Sequence, residues 1–430
     1  MKAVILAAGE GKRLRPITSS RPKPMIPLTG KPLLEHTISG LKEAGISEFI
    51  LIVGYKQNLI RNHFDRVSNE LDIKIDYITQ DEYLGTAHAA NYARDFIKDY
   101  PFLMMYGDIF VDCEVFKNII QIYNKNNCDG VIALYEVNNP QEYGIITLNS
   151  EGFVEKITEK PSTNLKVGNL ANAGIFIFNK LIFEAIDKTE KSIRNEYEFT
   201  DSMEILIHNL GGKMKGFSLE NKFWSDIGLP WQLFEANHFL LDKIENQNSG
   251  IIEKNVKISG TAKIGKNTII KSGTTIEGPC FIGDNCMIGP NAFIRPYSSI
   301  NNNCHIGMSE VKNSMIFSNS AVPHFNYVGD SIICENINLG AGTKLSNLRF
   351  DNQSIKMSIN GKMVDSGRRK LGAILGPNSQ TGINVSIMCG KKIGENSIIG
   401  AHTLVNEDVP PNTLYYQDKN GKIVKKAIMQ

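Results

Sequence analysis

Ten isoleucines, Ile252, Ile258, Ile264, Ile270, Ile276, Ile282, Ile288, Ile294, Ile300 and Ile306, stand six residues apart without a break. A helix returns a side chain to the same face about every 3.6 residues and a strand every second residue, so neither repeats at six. Gly, Asn and Ser lie between the isoleucines, and Gly265, Gly283, Gly289 and Gly307 directly follow four of them. A parallel β-helix satisfies this pattern, because each short strand sends one side chain into a stacked core and the chain turns at small residues. After Ile306 the phase slips. It recovers through Ile316, Val322 and Val328, then Leu339 and Leu345, and resumes at Leu375, Ile387, Ile393, Ile399 and Val405. Loops inserted into solenoids tend to share one face and carry binding, which singles out residues 305–314 and 348–370.

The first half is patterned differently. Residues 2–8 are mostly apolar and read as a buried parallel strand, which runs into Leu6-Ala7-Ala8-Gly9-Glu10-Gly11-Lys12-Arg13-Leu14 and then Arg21-Pro22-Lys23-Pro24-Met25. Glycines let a backbone approach a polyanion and aim N–H groups at it, while Lys12, Arg13 and Lys23 neutralise charge on a triphosphate and a departing pyrophosphate. No Gly-Lys-Ser/Thr closes the loop as in a P-loop, and Leu14 stands where a dinucleotide fingerprint has its third glycine. An ordinary turn accounts for two glycines alone; the cations and the Lys-Pro-Met element weigh against it. Residues 33–44 have helical spacing, 49–53 read as a strand, 57–64 as a helix and 100–106 as a strand ending near Asp108. Ligands gather at such carboxyl ends.

The spacing predicts an α/β domain over 1–228, a connecting helix and polar linker over 229–249, a β-helix over 250–415 and a lysine-rich tail over 416–430, after Pro410-Pro411. A chain of 430 residues is too long for one core, and a net charge of +2 gives no sign of nucleic acid or membrane as partner. Seven cysteines without a Cys-x-x-Cys pair argue against a disulfide framework or zinc ribbon. With no signal segment and no membrane-length apolar run, the expected location is cytoplasmic.

The phosphate loop, together with the motifs that follow it in order, resembles the sugar-1-phosphate nucleotidylyltransferases over nearly all of residues 1–230. These motifs are Gln80-Asp81-Glu82-Tyr83-Leu84-Gly85-Thr86-Ala87, Gly107-Asp108, Tyr143-Gly144-Ile145, Glu159-Lys160-Pro161, Asn172-Ala173-Gly174 and Trp224-Ser225-Asp226-Ile227-Gly228. The resemblance implies a Rossmann-like nucleotidyltransferase domain. It implies that Leu6, Ala8, Gly9, Gly11, Lys12, Gln80, Gly85 and Thr86 bind the nucleotide, and that Arg13 and Lys23 act on its phosphates. By the same likeness Tyr143, Gly144, Glu159, Lys160 and Asn172 form the sugar-phosphate pocket, and Asp108 and Asp226 hold Mg2+. The chemistry wants these types: a sugar-1-phosphate oxygen attacks the α-phosphate of UTP or dTTP, two anions meet, and pyrophosphate leaves. No general base is needed, because the attacking oxygen is already ionised. Taken singly, a strand-end Asp is often a helix cap and Glu-Lys-Pro a turn.

The hexads resemble the left-handed β-helix of the hexapeptide acyltransferases, which implies homotrimers with sites between subunits. His324-Phe325-Asn326-Tyr327-Val328-Gly329-Asp330-Ser331, followed by Gly340-Ala341-Gly342-Thr343 and Asn347, resembles the acetyltransferase site of the bifunctional glucosamine-1-phosphate acetyltransferase/N-acetylglucosamine-1-phosphate uridylyltransferase family. That likeness implies His324 as general base, Tyr327 and Asn347 as sugar-phosphate ligands, Lys356 as phosphate anchor, Ala341 at the site, and acetyl-CoA and an amino-sugar-1-phosphate as substrates. An amine attacking a thioester loses a proton, which an imidazole accepts near neutral pH. Residues 348–370 look more like archaeal relatives than the bacterial version, with Gln353 where those relatives have a second cation. Arg368, Arg369 and Lys370 there are candidates for coenzyme A or sugar phosphates, though a run of cations is often a solvated loop. Three readings compete: a bifunctional enzyme, a single-activity nucleotidylyltransferase with a structural β-helix, and a non-catalytic scaffold. Fold alone does not separate them.

Overall fold

The computed structural model describes residues 1–98, 101–162 and 167–428, so Tyr100, read above as the start of a strand, lies outside the described residues. The chain forms two compact units. One comprises Met1–Glu10, Pro22–Met25 and Leu33–Ile227, the other Gly11–Arg21, Ile26–Pro32 and Gly228–Gln430.

The first unit is an α/β sheet whose strands are β1 (Lys2–Ala7), β2 (Glu48–Val53), β3 (Lys74–Thr79), β4 (Phe102–Tyr106), β5 (Gly130–Glu136), β6 (Gly144–Leu148), β7 (Val154–Glu159), β8 (Leu170–Phe178) and β9 (Met214–Ser218). Their order is β7-β6-β8-β4-β1-β2-β3, with β5 beside β8 and β9 beside β5. Strands β4, β1, β2 and β3 are parallel, and β8 runs antiparallel to β4. Alternate residues of β1 feed opposite cores: Ala3 and Ile5 pack on one side with Leu34, Ile38 and Phe116, and Val4 on the other with Ala87, Ile182 and Met203. Burial on both faces is why these strands read as unbroken apolar runs. Helices α1 (Leu33–Glu43) and α2 (Gln57–Leu71) fall where expected, the second running a further seven residues.

The second half is a left-handed parallel β-helix. Ile251, Ile269, Met287 and His305 pair successively in parallel register, one coil of eighteen residues apart. Corner asparagines explain the composition. Asn267, Asn285, Asn303, Asn319, Asn336, Asn378, Asn396 and Asn412 all take positive φ, between 53° and 62°. Asparagine tolerates that conformation better than most residues, and its amide reaches the next coil: Asn336 donates to Asn378 at 2.9 Å, Asn378 to Asn396 at 3.0 Å and Asn396 to Asn412 at 2.9 Å.

Several expectations need correction. Ile252 and Ile258 are 38% and 39% exposed, whereas the hexad isoleucines from Ile264 to Ile306 are at most 2% exposed, because the first coil has no coil beneath it. The slip after Ile306 is a deletion, not an insertion. His305–Lys312 is one continuous strand that buries Ile306 and Val311, five residues apart, so eight of the ten residues of 305–314 are strand and not an inserted loop. Residues 348–370 are an insertion: Ile332 pairs with Ile374 and Lys344 with Ser386, forty-two residues apart instead of eighteen. Within it Lys356–Ile359 and Lys362–Asp365 form an antiparallel hairpin. The connecting helix, α3 here (Gln232–Leu241), is followed by Gln247–Asn248, which already pairs with the solenoid. At the other end Thr413–Gln417 stacks on the last coil and pairs with Ile423–Ala427, so the expected tail is a closing hairpin with Tyr415 fully buried.

This burial contrast carries a prediction. Ile300→Ala, at a fully buried position, costs about 2–5 kcal/mol, whereas Ile252→Ala costs about 1 kcal/mol or less, as read from urea unfolding midpoints.

Candidate active sites

The loop after β1 needs its glycines. Gly11 has φ 70°, and its carbonyl accepts from the Leu14 N–H at 3.0 Å and the Thr18 hydroxyl at 2.9 Å, which fixes a tight turn. A Cβ on Gly9 meets nothing within 4 Å, so that backbone faces open space. Lys12 and Arg13 are exposed, and the Arg13 guanidinium lies over Gly228, where a Cβ would come within 2.9 Å. Leu6 and Ala8 flank the strand end, with the Ala8 carbonyl accepting from Tyr55 at 3.1 Å.

Lys23 is 6% exposed, and its ammonium donates to Asp108 Oδ2 at 2.8 Å and to the Asp226 carbonyl at 2.7 Å. Asp108 reaches this place because Gly107 crosses β1: its N–H bonds Leu6 O at 2.9 Å, and a Cβ there would lie 2.8 Å from that same oxygen. One lysine thus ties together both aspartate positions that the sequence singled out. Oxygen donors are what Mg2+ takes, typically one or two carboxylates completed by substrate phosphates and water. Asp108 and Asp226 fit that donor set, and among the described residues no cluster of three or more His, Cys, Asp or Glu forms a closed cage.

The segment 80–87, expected to recognise the base, is braced by residues 197–199. Tyr197 N–H donates to the Leu84 carbonyl at 2.7 Å, Ala87 N–H to the Tyr197 carbonyl at 3.0 Å, and Phe199 N–H to Thr86 Oγ1 at 3.0 Å. Gly85 has φ 118° with the Tyr197 backbone against it, leaving no room for a Cβ. Gln80 is 7% exposed and donates to the Glu82 carbonyl at 3.0 Å.

Among the residues expected to hold the sugar phosphate, Gly144 pairs with Glu159 across β6 and β7, and a Cβ on Gly144 would stand 2.8 Å from Glu159 Oε2. Lys160 N–H bonds the Tyr143 carbonyl at 3.0 Å, and Asn172 Oδ1 accepts from Gly174 N–H at 2.8 Å. Tyr143 packs edge-on to Trp224, whose indole N–H reaches the Ala173 carbonyl at 2.8 Å. Burial, then the carboxylates of Glu159 and Asp108, push the Tyr106 phenol well above its usual range.

In the β-helix, strand Ala321–Gly329 carries His324, exposed, with its carbonyl held by Gly342 N–H at 2.9 Å. Asn347 Nδ2 contacts the Tyr327 hydroxyl at 3.1 Å and Asp330 Oδ2 at 2.5 Å. Asp330, 4% exposed, also accepts from Asn313 at 2.6 Å and has Lys312 at 3.7 Å. Burial lowers the Lys312 pKa, Asp330 opposes that, and neighbouring Lys370 and Arg295 lower it further. Tyr327 and Asn347 are thus one polar assembly with cations beside it. Ala341 accepts from Asn384 N–H at 2.7 Å. Lys356 is exposed and pairs with Asp365 across the inserted hairpin, and Arg369 is exposed. Arg368 is turned to α3, 3.7 Å from Glu235 and over the Phe234 ring at 5.5 Å.

Comparison with known proteins agrees with both halves. A nucleotidyl transferase family model matches residues 2–243, and a GMPPB C-terminal domain model matches 276–370. The chain is 44% identical to the bifunctional protein GlmU of Methanocaldococcus jannaschii, covering 97% of this chain and 98% of that protein. It is 41% identical to the bifunctional sugar-1-phosphate nucleotidylyltransferase/acetyltransferase of Sulfurisphaera tokodaii, over 95% and 98%. The chain belongs to the bifunctional sugar-1-phosphate nucleotidylyltransferase/acetyltransferase family. A solved UDP-glucose pyrophosphorylase in complex with UDP-glucose aligns with TM-score 0.51 and 25% identity, covering 56% of this chain and 99% of that one.

Against this family background, the structure adds residues that sequence reasoning missed. Arg194 bridges Glu159 at 3.2 Å and Glu198 at 2.9 Å, and no motif flagged it. Arg295 pairs with Glu310 at 2.9 Å, and both charges act on Tyr327. Glu310 and Lys312 did lie in a segment marked for attention, and Asp330 stood in the quoted octapeptide without a role.

Proposed function

We propose that this chain makes a nucleoside-diphosphate N-acetylamino sugar in two steps. It transfers acetyl from acetyl-CoA to glucosamine-1-phosphate, with galactosamine-1-phosphate as a second acceptor. It then transfers a nucleotidyl group from UTP or dTTP to the N-acetylated sugar-1-phosphate. The polar assembly of Tyr327, Asn347, Asp330 and Lys312 supports the bifunctional reading over a single activity, because a merely structural solenoid has no use for a buried carboxylate paired with a cation, and Tyr327 shares its strand with the exposed His324.

In acetyl transfer the sugar amine attacks the thioester carbonyl, a C–N bond forms, and His324 accepts the amine proton. The C–S bond then breaks, protonated His324 returns the proton to the sulfur, and coenzyme A leaves as the thiol. Lys312 and Lys370 meet the sugar phosphate, and Tyr327 and Asn347 orient it. In nucleotidyl transfer a sugar-phosphate oxygen attacks the α-phosphorus and the bond to the β-phosphate bridging oxygen breaks. Lys23 and Arg13 neutralise the departing pyrophosphate, and Glu159 and Asn172 hold sugar hydroxyls. Asp108 and Asp226 would hold a magnesium ion, which when bound would supply charge stabilisation to the phosphates. Supporting a homotrimer, Ile251, Met287 and Ile398 are exposed along one column of solenoid strands. No helix among the described residues is long and apolar enough to cross a membrane, and seven free cysteines favour a reducing cytoplasm.

Release of free coenzyme A from acetyl-CoA, with glucosamine-1-phosphate, galactosamine-1-phosphate or no acceptor, tests this reading. Acceptor-dependent release is expected. Chelation with EDTA is expected to stop pyrophosphate release from UTP and leave coenzyme A release unchanged. Absence of coenzyme A release with either sugar, while pyrophosphate still forms, reduces the β-helix to an appendage.

A further inference from the structure

Residues 11–21 follow the phosphate-loop glycine Gly9, yet they belong to the same compact unit as the solenoid. Three consecutive coils hold them. Arg21 forms an ion pair with Glu335, the two side chains only 18% and 15% exposed, and its guanidinium lies over the Phe317 ring at 5.2 Å. The Ser19 hydroxyl donates to Glu395 Oε2 at 2.9 Å. Pro16 sits so close to Gly376 that a Cβ added there would lie 2.8 Å from the proline Cβ. Gly376 directly follows the strand Ile374–Leu375, and Glu335 and Glu395 stand two residues after Ile332–Ile333 and Lys392–Ile393; the three strands stack in the order Ile332–Ile333, Ile374–Leu375, Lys392–Ile393. The three contacts therefore run up one corner of the solenoid.

Burial raises the Glu335 pKa, but the Arg21 guanidinium more than reverses this and holds the carboxyl below its usual range, so the pair is charged at neutral pH. A buried ion pair is seldom a net source of stability, and it is often better explained by the geometry it specifies. Here the geometry has a target. Two residues beyond Arg21, Lys23 grips Asp108 and the Asp226 carbonyl, and at the other end the anchored stretch begins with Gly11, Lys12 and Arg13.

We propose that the solenoid corner at Glu335, Gly376 and Glu395 is a positioning platform for nucleotidyl transfer. It fixes the stretch between the two groups of phosphate-binding cations, so the β-helix serves nucleotidyl transfer as well as its own reaction. The inference rests on the reading above that Arg13 and Lys23 act on the triphosphate. Glu335 is a positioning residue and touches no substrate.

The test is Glu335→Gln, with Glu335→Asp as the conservative variant, assayed on UTP and N-acetylglucosamine-1-phosphate. A misplaced cation costs transition-state stabilisation, so kcat for pyrophosphate release is expected to fall about tenfold with KM for UTP little changed. The Asp variant recovers part of that, and acetyl transfer stays at the unsubstituted rate. Ser19→Ala, which removes one hydroxyl and carries little folding risk, is expected to lower the same kcat about threefold; it decides the matter if Glu335→Gln does not fold. Unchanged nucleotidyl kinetics in a folded variant, or an equal fall in both activities, overturns the proposal. A lack of pyrophosphate release in the unsubstituted protein overturns the functional reading itself, and the platform with it.

Discussion

His324→Ala is expected to lower acetyl transfer by about a thousandfold while leaving pyrophosphate release at the unsubstituted rate. A positioned general base contributes roughly 10²–10⁴ in rate, and the amine nucleophile has no other imidazole on the same strand to take its proton. The substitution is structurally mild. The side chain is exposed, and what fixes the residue is its backbone carbonyl bonded to Gly342, which alanine retains. Thermal unfolding should therefore shift little. The loss should fall on kcat, with the KM for glucosamine-1-phosphate nearly unchanged, because Tyr327, Asn347 and the Lys312–Asp330 pair remain to bind the phosphate. The pair of assays discriminates: a parallel loss of both activities means misfolding, and retained acetyl transfer means that another group takes the proton.

The fold and the site were legible to different degrees, and the reason is physical. The hexads were readable because every coil repeats the same demand, three apolar side chains inward at a spacing of six and positive φ at its corners, so Ile264, Ile270 and Ile276 announce themselves. Ile252 and Ile258 carry the same spacing but lie in the first coil, and periodicity does not say which repeat is terminal. The slip after Ile306 looked like an insertion because a shortened corner and an added loop both break phase; only the continuous strand His305–Lys312 distinguishes them. In the candidate sites, what the sequence could single out were residues within one short motif, such as His324 with Tyr327 or Gly107 with Asp108. Groups that act through tertiary contacts were not singled out. Arg194 comes to Glu159 from thirty-five residues away, and Arg21, read as part of a phosphate motif, is paired with Glu335, over three hundred residues on. Nothing in local spacing encodes such partners.

Asp108→Asn separates a metal-holding aspartate from a structural one. The asparagine carbonyl oxygen still accepts the hydrogen bond from Lys23, whose ammonium also keeps the Asp226 carbonyl at 2.7 Å, so that lysine is not left buried without a partner. What disappears is a negative charge at the end of β4, where a divalent cation needs it. If Asp108 only anchors Lys23, activity should survive within a few-fold, because the anchor is largely kept. If it holds the cation against the α-phosphate, pyrophosphate release should fall by about a thousandfold or more, the scale of losing a main electrostatic contact to the developing charge. Raising Mg2+ should recover a small part, since Asp226 and the substrate phosphates still bind the ion weakly. Coenzyme A release should not move at all. Lys23→Ala provides the contrast: it strips the contact to the Asp108 carboxylate and the phosphate cation together, so it should lose nucleotidyl transfer without any recovery at high Mg2+. A magnesium-recoverable defect at position 108 beside an unrecoverable one at position 23 assigns the carboxylate to the metal and the ammonium to the phosphates. Recovery at both positions, or at neither, rejects that division of labour.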